Sequence, residues 1–272
     1  MSPTDDEPLF GRHPVLELLR AESRRVDEIA ILANGRSPAL QDLLALARSR
    51  GVKVSFRTRD QLTAMVGTPH HQGVVARVAA ASYADLGSLV QIAGERAEPA
   101  FLLALDQVQD PRNLGAILRS AEATGAHGLI VSKHHAVGLT PAAAKAATGA
   151  AEWVKVARVT NLVQSLEALK REGVWIVGTA TQGGRSPWSA DLSIPICLVL
   201  GGEGEGLRPL VARTCDLLLS LPMKGRLDSL NVAAVAAVLC YEVVRQRLGP
   251  AAQTSAGSRG AQKGLDLPDP GH

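Results

Sequence analysis

The sequence predicts an α/β chain in two parts: a small α/β module, then a larger one built on a parallel sheet. Three observations predict it. Short runs of Val, Ile, Leu and Ala alternate with longer stretches whose apolar residues recur at helical spacing. The runs at 100–105 and 196–200 are apolar without a break, the pattern of strands covered on both faces. The 272 residues are 46% hydrophobic and 20% charged, which suits a filled core and leaves room for two ordinary domains.

The first module, 1–79, reads in order as follows. His13-Pro14 opens an amphipathic stretch carrying Val15, Leu16, Leu18 and Leu19. Residues 28–33 form a strand, and 38–50 a helix with apolar residues at 40, 43, 44 and 47. A short strand at 52–56, a helix at 59–66 and a strand at 73–79 complete three strands with helices between them. Residues 80–98 mix Gly, Ser and charges and are expected to be a linker.

The second module, 99–248, has strands at 100–105, 128–131, 154–156, 174–179, 196–200 and 216–221. Its helices are at 114–124, 141–148, 162–171 and 231–246. The tail, 249–272, is Gly, Ser, Ala and Pro and is expected to be disordered.

Composition narrows the function. Aromatic residues are only 3%, so stacking platforms for single-stranded nucleic acid are scarce and any RNA contact leans on Arg and Lys. A net charge of +3 moves the odds little. Cys197, Cys215 and Cys240 lack CxxC spacing and sit in apolar runs, so they read as buried free thiols of a reducing compartment. With no signal-like apolar region in MSPTDDEP and no apolar run long enough for a bilayer, the expectation is a cytoplasmic protein with no membrane partner. His70-His71 and His134-His135 are adjacent pairs that read as surface residues, and no metal is expected.

Three segments carry chemistry. Asp106 to Arg119 follows a buried strand and enters a helix, where polar groups at a strand's carboxyl end commonly form a site. Asn113 has the chemistry of an N-cap, Gly115 admits a close neighbouring chain, and Arg119 is expected to point toward the same strand ends. The second segment, 201–206, is Gly-Gly-Glu-Gly-Glu-Gly after a strand. It lacks the Lys-Ser/Thr of a triphosphate loop, and its glutamates repel pyrophosphate but tolerate a cation such as a sulfonium. The third is Leu221-Pro-Met223 with Ser229-Leu230-Asn231-Val232, opening a helix apolar nearly all round and therefore covered on several sides. A dimer interface or a deep core explains that helix, with Val235 read as an outward position. Taken singly, the segments also read as a capped helix, a flexible turn and another helix cap.

In this order the segments resemble the three motifs of the SpoU/TrmH branch of the SPOUT methyltransferases. The matching residues are N-L-G-A-I-L-R at 113–119, L-G-G-E-G-E-G at 200–206, L-P-M at 221–223, S-L-N-V at 229–232 and Y-E-V-V-R-Q-R at 241–247. F-G-R-H-P-V-L-E-L-L-R at 10–20 and H-Q-G-V-V-A at 71–76 resemble that family's substrate-binding domain, so the likeness covers about 9–248. Within the family it is nearest the 23S ribosomal RNA guanosine-2′-O-methyltransferases. The resemblance implies S-adenosylmethionine as methyl donor, ribosomal RNA as partner, a SPOUT-type parallel sheet with a C-terminal trefoil knot, and a homodimer with sites near its interface. It implies catalytic roles for Asn113, Arg119, Glu203, Ser229 and Asn231, and donor contacts around Gly201, Leu221 and Leu230. Ala233 departs from the family, where a serine is common. The family gives the arginine the role of base. A guanidinium stays protonated, so Arg119 alternatively clamps a phosphate.

Other readings carry different expectations. A Rossmann-type methyltransferase places its glycine loop after its first strand, whereas this loop follows several. A transfer RNA ribose methyltransferase, or a non-catalytic RNA-binding protein on the same fold, uses the same motifs.

Overall fold

A computed structural model describes residues 6–35, 37–204 and 206–252. The first sheet contains β1 (Asp6–Phe10), β2 (Val26–Leu32), β3 (Lys53–Arg57) and β4 (Val74–Ala79), in the order β1-β4-β2-β3. Helices α1 (Arg12–Ala21), α2 (Pro38–Ser49) and α3 (Arg59–Val66) connect them. β1 is a strand the sequence did not announce. Asp6-Glu-Pro-Leu-Phe lacks alternation, and its proline is accommodated because β1 is an edge strand.

The second sheet is six-stranded and wholly parallel, in the order β10-β8-β9-β5-β6-β7. Its strands are β5 (Phe101–Asp106), β6 (Gly128–Ser132), β7 (Val156–Val159), β8 (Trp175–Thr179), β9 (Ile196–Gly201) and β10 (Leu217–Leu219). The central strands β5 and β9 are buried along their whole length, as their unbroken apolar runs require. Successive residues point to opposite faces, so Phe101, Leu103 and Leu105 enter one core and Leu102 and Ala104 the other. α5 (Pro111–Ala123), α6 (Pro141–Ala147) and α9 (Val232–Ala252) cover the first face. α4 (Leu86–Glu95), α7 (Leu162–Arg171) and α8 (Pro209–Thr214) cover the second.

Several expectations change. Residues 80–98 are not a bare linker, because α4 buries Leu89 and Ala93 against the second sheet. The strand expected at 154–156 begins at Val156 and ends at Val159, and β10 is shorter than 216–221. α8 had no sequence signal of its own, being six residues long. α9 runs to Ala252 across a break at Gly249, whose φ is 64°; the rest of the expected tail lies outside the described residues. Cys197 and Cys240 are buried, but Cys215 is only partly so; all three are free thiols. His71 is a buried residue rather than a surface one: its Nδ1 accepts from the Gly73 backbone N–H at 3.0 Å.

The two sheets are joined through a buried ion pair. Glu152, in a 3₁₀ turn, accepts hydrogen bonds from Arg24 and Ser23 of the first module, and Trp153 Nε1 donates to Glu17 at 3.0 Å. A pair this dry holds position strongly because either partner left alone would be an uncompensated buried charge. Among the described residues no helix is long and apolar enough to cross a membrane.

Candidate active site

Asp106 ends β5 and is fully buried. Its carboxylate accepts from the backbone N–H of Arg208 at 2.9 Å and pairs with that guanidinium at 2.7 Å. The pair ties the loop after β9 to the middle of the sheet. The loop's start is backbone packed on backbone: a Cβ on Gly201 would fall 2.2 Å from the carbonyl carbon of Gly206, and one on Gly202 would fall 2.5 Å from the Gln107 carbonyl oxygen. Only glycine fits at either position. Glu205 lies outside the described residues.

Beside this loop α5 begins. Its N-cap is Asp110, which accepts from the Arg112 N–H, followed by a proline at the first helical position. Asn113 is therefore not the cap it was expected to be. It sits inside the first turn, 8% exposed, with its carboxamide turned away from its own helix. Asn113 Nδ2 donates to Glu203 Oε1, while Asn231 Nδ2 donates to Asn113 Oδ1 at 3.0 Å and lies 3.4 Å from the same Glu203 oxygen. Asn231 Oδ1 also accepts from the Ala233 N–H, so it caps α9 as well. Three polar residues from three distant segments thus form one network, with the Glu203 carboxylate held by two carboxamides.

The network opens on a cavity of about 280 Å³. Gly201, Glu203, Leu221, Ser229, Leu230 and Asn231 all line it. Met223, of the Leu221-Pro-Met223 segment, and Val235 line it too; Thr179, Thr181, Asp228 and Leu239 also do and were not singled out from the sequence, although Thr179–Thr181 follows a strand's carboxyl end just as Asp106 does. The walls are aliphatic and Met surface from Leu219, Leu221, Met223 and Leu239, with carboxylates at Glu203 and Asp228. Such a pocket takes a flat apolar body and favours a positive charge at its acidic groups.

Arg119 is not in this cavity. It is exposed and lines a separate groove with Trp153, Ala234, Ala237 and Tyr241. Six residues along a helix turn through about 600°, leaving Arg119 about 240° round α5 from Asn113. Among the described residues it has no hydrogen bond or ion pair. Gly115 does admit a close neighbour, since a Cβ there would fall 2.7 Å from the backbone of α6. Val235 faces the cavity rather than solvent; the outward residues of α9 include Ala234, Val238, Tyr241 and Leu248.

Comparison with known proteins agrees on one family. The family described as SpoU rRNA methylase matches residues 100–241, and that described as RNA 2′-O ribose methyltransferase substrate binding matches 8–84. The chain is 45% identical over 241 residues to the 23S rRNA (guanosine-2′-O-)-methyltransferase RlmB of Ralstonia nicotianae, covering 88% of this chain and 95% of that protein. It is 42% identical over 243 residues to RlmB of Coxiella burnetii, covering 89% and 97%. Among solved structures it resembles the SpoU methyltransferase AviRb from Streptomyces viridochromogenes in complex with AdoMet, with a TM-score of 0.76, 27% identity and coverage of 90% and 91%.

Proposed function

The chain belongs to the SpoU rRNA methylase family, and from that premise we propose that it transfers a methyl group from S-adenosylmethionine to the 2′-hydroxyl of a guanosine in 23S ribosomal RNA. The observation that carries this reading is the Asn113–Glu203–Asn231 network at the rim of a mostly apolar cavity floored by tightly packed glycine backbone. The donor fits that lining: its adenosine has aliphatic walls to lie against, and its sulfonium has carboxylates to face. When bound, it supplies an electrophilic methyl group for in-line displacement.

The chain's own residues do the rest. Gly201 and Gly202 bring backbone to the cavity, Leu221 and Leu230 enclose the donor, and the apolar walls exclude water that would compete with the ribose hydroxyl. Asn113 and Asn231 fix the Glu203 carboxylate, which faces the cation and holds it in line. Ser229 and Asn231 stand at the entrance of α9, where the ribose approaches. The departing proton goes to a carboxylate of the lining, Glu203 or Asp228. Arg119 clamps a substrate phosphate and orients the hydroxyl.

Arg119 cannot serve the cavity of its own protomer from the groove it lines. We assign it to the cavity of a second copy, in a homodimer whose interface includes the exposed apolar residues Val238 and Tyr241 of α9. A trefoil knot belongs to the same reading, supported by the segments at 179–181, 201–206 and 219–232 lining one cavity. The lining supports a division of labour in which the first module selects RNA, since all of it comes from residues after β7.

The test is methyl transfer from labelled donor to unmodified 23S transcript, followed by mapping of ribose methylation. One modified guanosine is expected. Transfer to transfer RNA alone would replace the substrate, and donor binding without transfer to either would leave a non-catalytic RNA binder.

A further inference from the structure

The first module has a cavity of its own, at one end of its sheet. β1, β2 and β3 end where β4 begins, and α1, α2 and α3 all start at that end. Between them lies a space of about 420 Å³, and its polar lining includes Arg12, Ser37, Arg59, His70 and Gln72. Among the described residues no Asp or Glu lines it; Asp60, beside Arg59, does not contribute.

The charged side chains that face this space are cationic, and helix starts adjoin it. Helix N-termini carry partial positive charge and unsatisfied N–H groups. Thr58 caps α3, but neither Gly11 nor Ser37 gives a side-chain cap to α1 or α2. The Ser37 hydroxyl is buried and has no hydrogen-bond partner among the described residues, a costly state for a polar atom unless something supplies an acceptor. Arg12 is fixed in place: its backbone N–H donates to Gln72 Oε1 at 3.0 Å and its Nε to the Gln72 carbonyl at 3.1 Å. Its terminal N–H groups remain unengaged among the described residues, and Arg59 makes no ion pair there either.

We propose that this cavity binds a phosphodiester group of the RNA substrate, anchoring the RNA while the second module methylates it. Two guanidinium groups, the start of α2 without a side-chain cap and an unpartnered hydroxyl match the several acceptor oxygens of a phosphate. The inference rests on the RNA reading above. It adds a residue-level account of how the first module holds its substrate.

The test uses the full chain and a labelled 23S fragment, with affinity followed against salt. Arg59→Gln removes one phosphate contact and is expected to weaken binding about tenfold near 0.1 M salt and to lower the salt slope by about 0.7–0.9. Ser37→Asp separates binding from folding. Aspartate is a good N-cap, so thermal stability holds or rises, while its carboxylate in the cavity repels phosphate and lowers RNA affinity at least as much. Ser37→Asn, an equally good cap without charge, is expected to retain most of the affinity. Binding of S-adenosylhomocysteine should be the same in all four proteins.

Three results overturn the proposal. The first is wild-type RNA affinity and salt slope in both Arg59→Gln and Ser37→Asp while the wild type still methylates RNA, which leaves the function standing. The second is stabilisation by inorganic phosphate, lost in the variants, without any change in RNA affinity; the cavity is then a free-anion site. The third is a wild type that neither binds nor methylates RNA, which removes the functional reading itself.

Discussion

Replacing Gly201 by alanine tests whether backbone packing shapes the donor cavity. The added Cβ would lie 2.2 Å from the Gly206 carbonyl carbon and 2.5 Å from both the Gly206 oxygen and the Leu207 nitrogen, where ordinary contact begins near 3.4 Å. All three are backbone atoms, so no side chain can rotate away. The loop must lift by about 1 Å, the difference between the clash and ordinary contact. A misplacement of that size costs about 100-fold in rate when it moves a positioned reactant. Overpacking of this kind also costs about 1–3 kcal/mol, lowering Tm by about 2–12 °C for a chain of this size. Single-turnover methylation, calorimetry with S-adenosylhomocysteine and thermal melting on the same preparations measure all three effects. Gly225→Ala is the control, because nothing lies within 4 Å of its added Cβ. Wild-type rate and donor affinity in Gly201→Ala would refute the argument that this contact forms the cavity.

Arg119→Lys and Arg119→Ala are each expected to lose at least ~100-fold in turnover with donor affinity and Tm unchanged, since the side chain is exposed and unpaired among the described residues; loss of donor binding would make it a structural residue instead. Val238→Glu is expected to give monomers in light scattering, with little loss of stability because Val238 is 38% exposed; an unchanged dimer removes α9 from the interface. Chemical denaturation against pH should show stability falling below about pH 6.5. Burial holds His71 and His127 below that ordinary value, so the unfolded chain takes up protons first as the pH drops. A second loss is expected below about 4.5, where Glu242, hydrogen-bonded to Arg245 and held low, is protonated more readily once unfolded. A flat profile from pH 7.5 to 5.5 would contradict the histidine assignment.

The core strands were legible because burial on both faces leaves no room for polar alternation: residues 100–105 and 196–200 could be little else. The glycine loop was legible for a related reason, that glycine repeated after a buried strand implies close backbone approach. β1 was hidden by its proline and its edge position. α4 had a signal that charge and glycine obscured, with Leu86, Leu89, Val90 and Ala93 recurring at helical spacing. Asp110-Pro111 marked the start of α5, but Asn113, itself a good cap residue, drew the assignment three positions too far. What composition cannot convey is proximity between distant segments. Asn113, Glu203 and Asn231 are chemically unremarkable apart from one another, and the family motifs rather than physics singled them out. The direction of Arg119 was within reach, since helical rotation alone separates it from Asn113.

The order of strands in the second sheet governs how the protein emerges during synthesis. β5 is central, yet one of its neighbours, β9, comes far later in the chain, and Arg247 closes the unit by donating to the carbonyls of Pro99, Ala100 and Ile194. The first sheet, by contrast, draws all its strands from residues before Leu86 and can form early. At about 5–20 residues per second, the interval between the two events is on the order of 10 s. For that time the nascent chain carries a folded first module beside β5, a strand apolar up to its closing Asp106, with no β9 to pair with. Aggregation during rapid expression should therefore originate at residues 101–106, and slowing translation after Ala79 will worsen it rather than help.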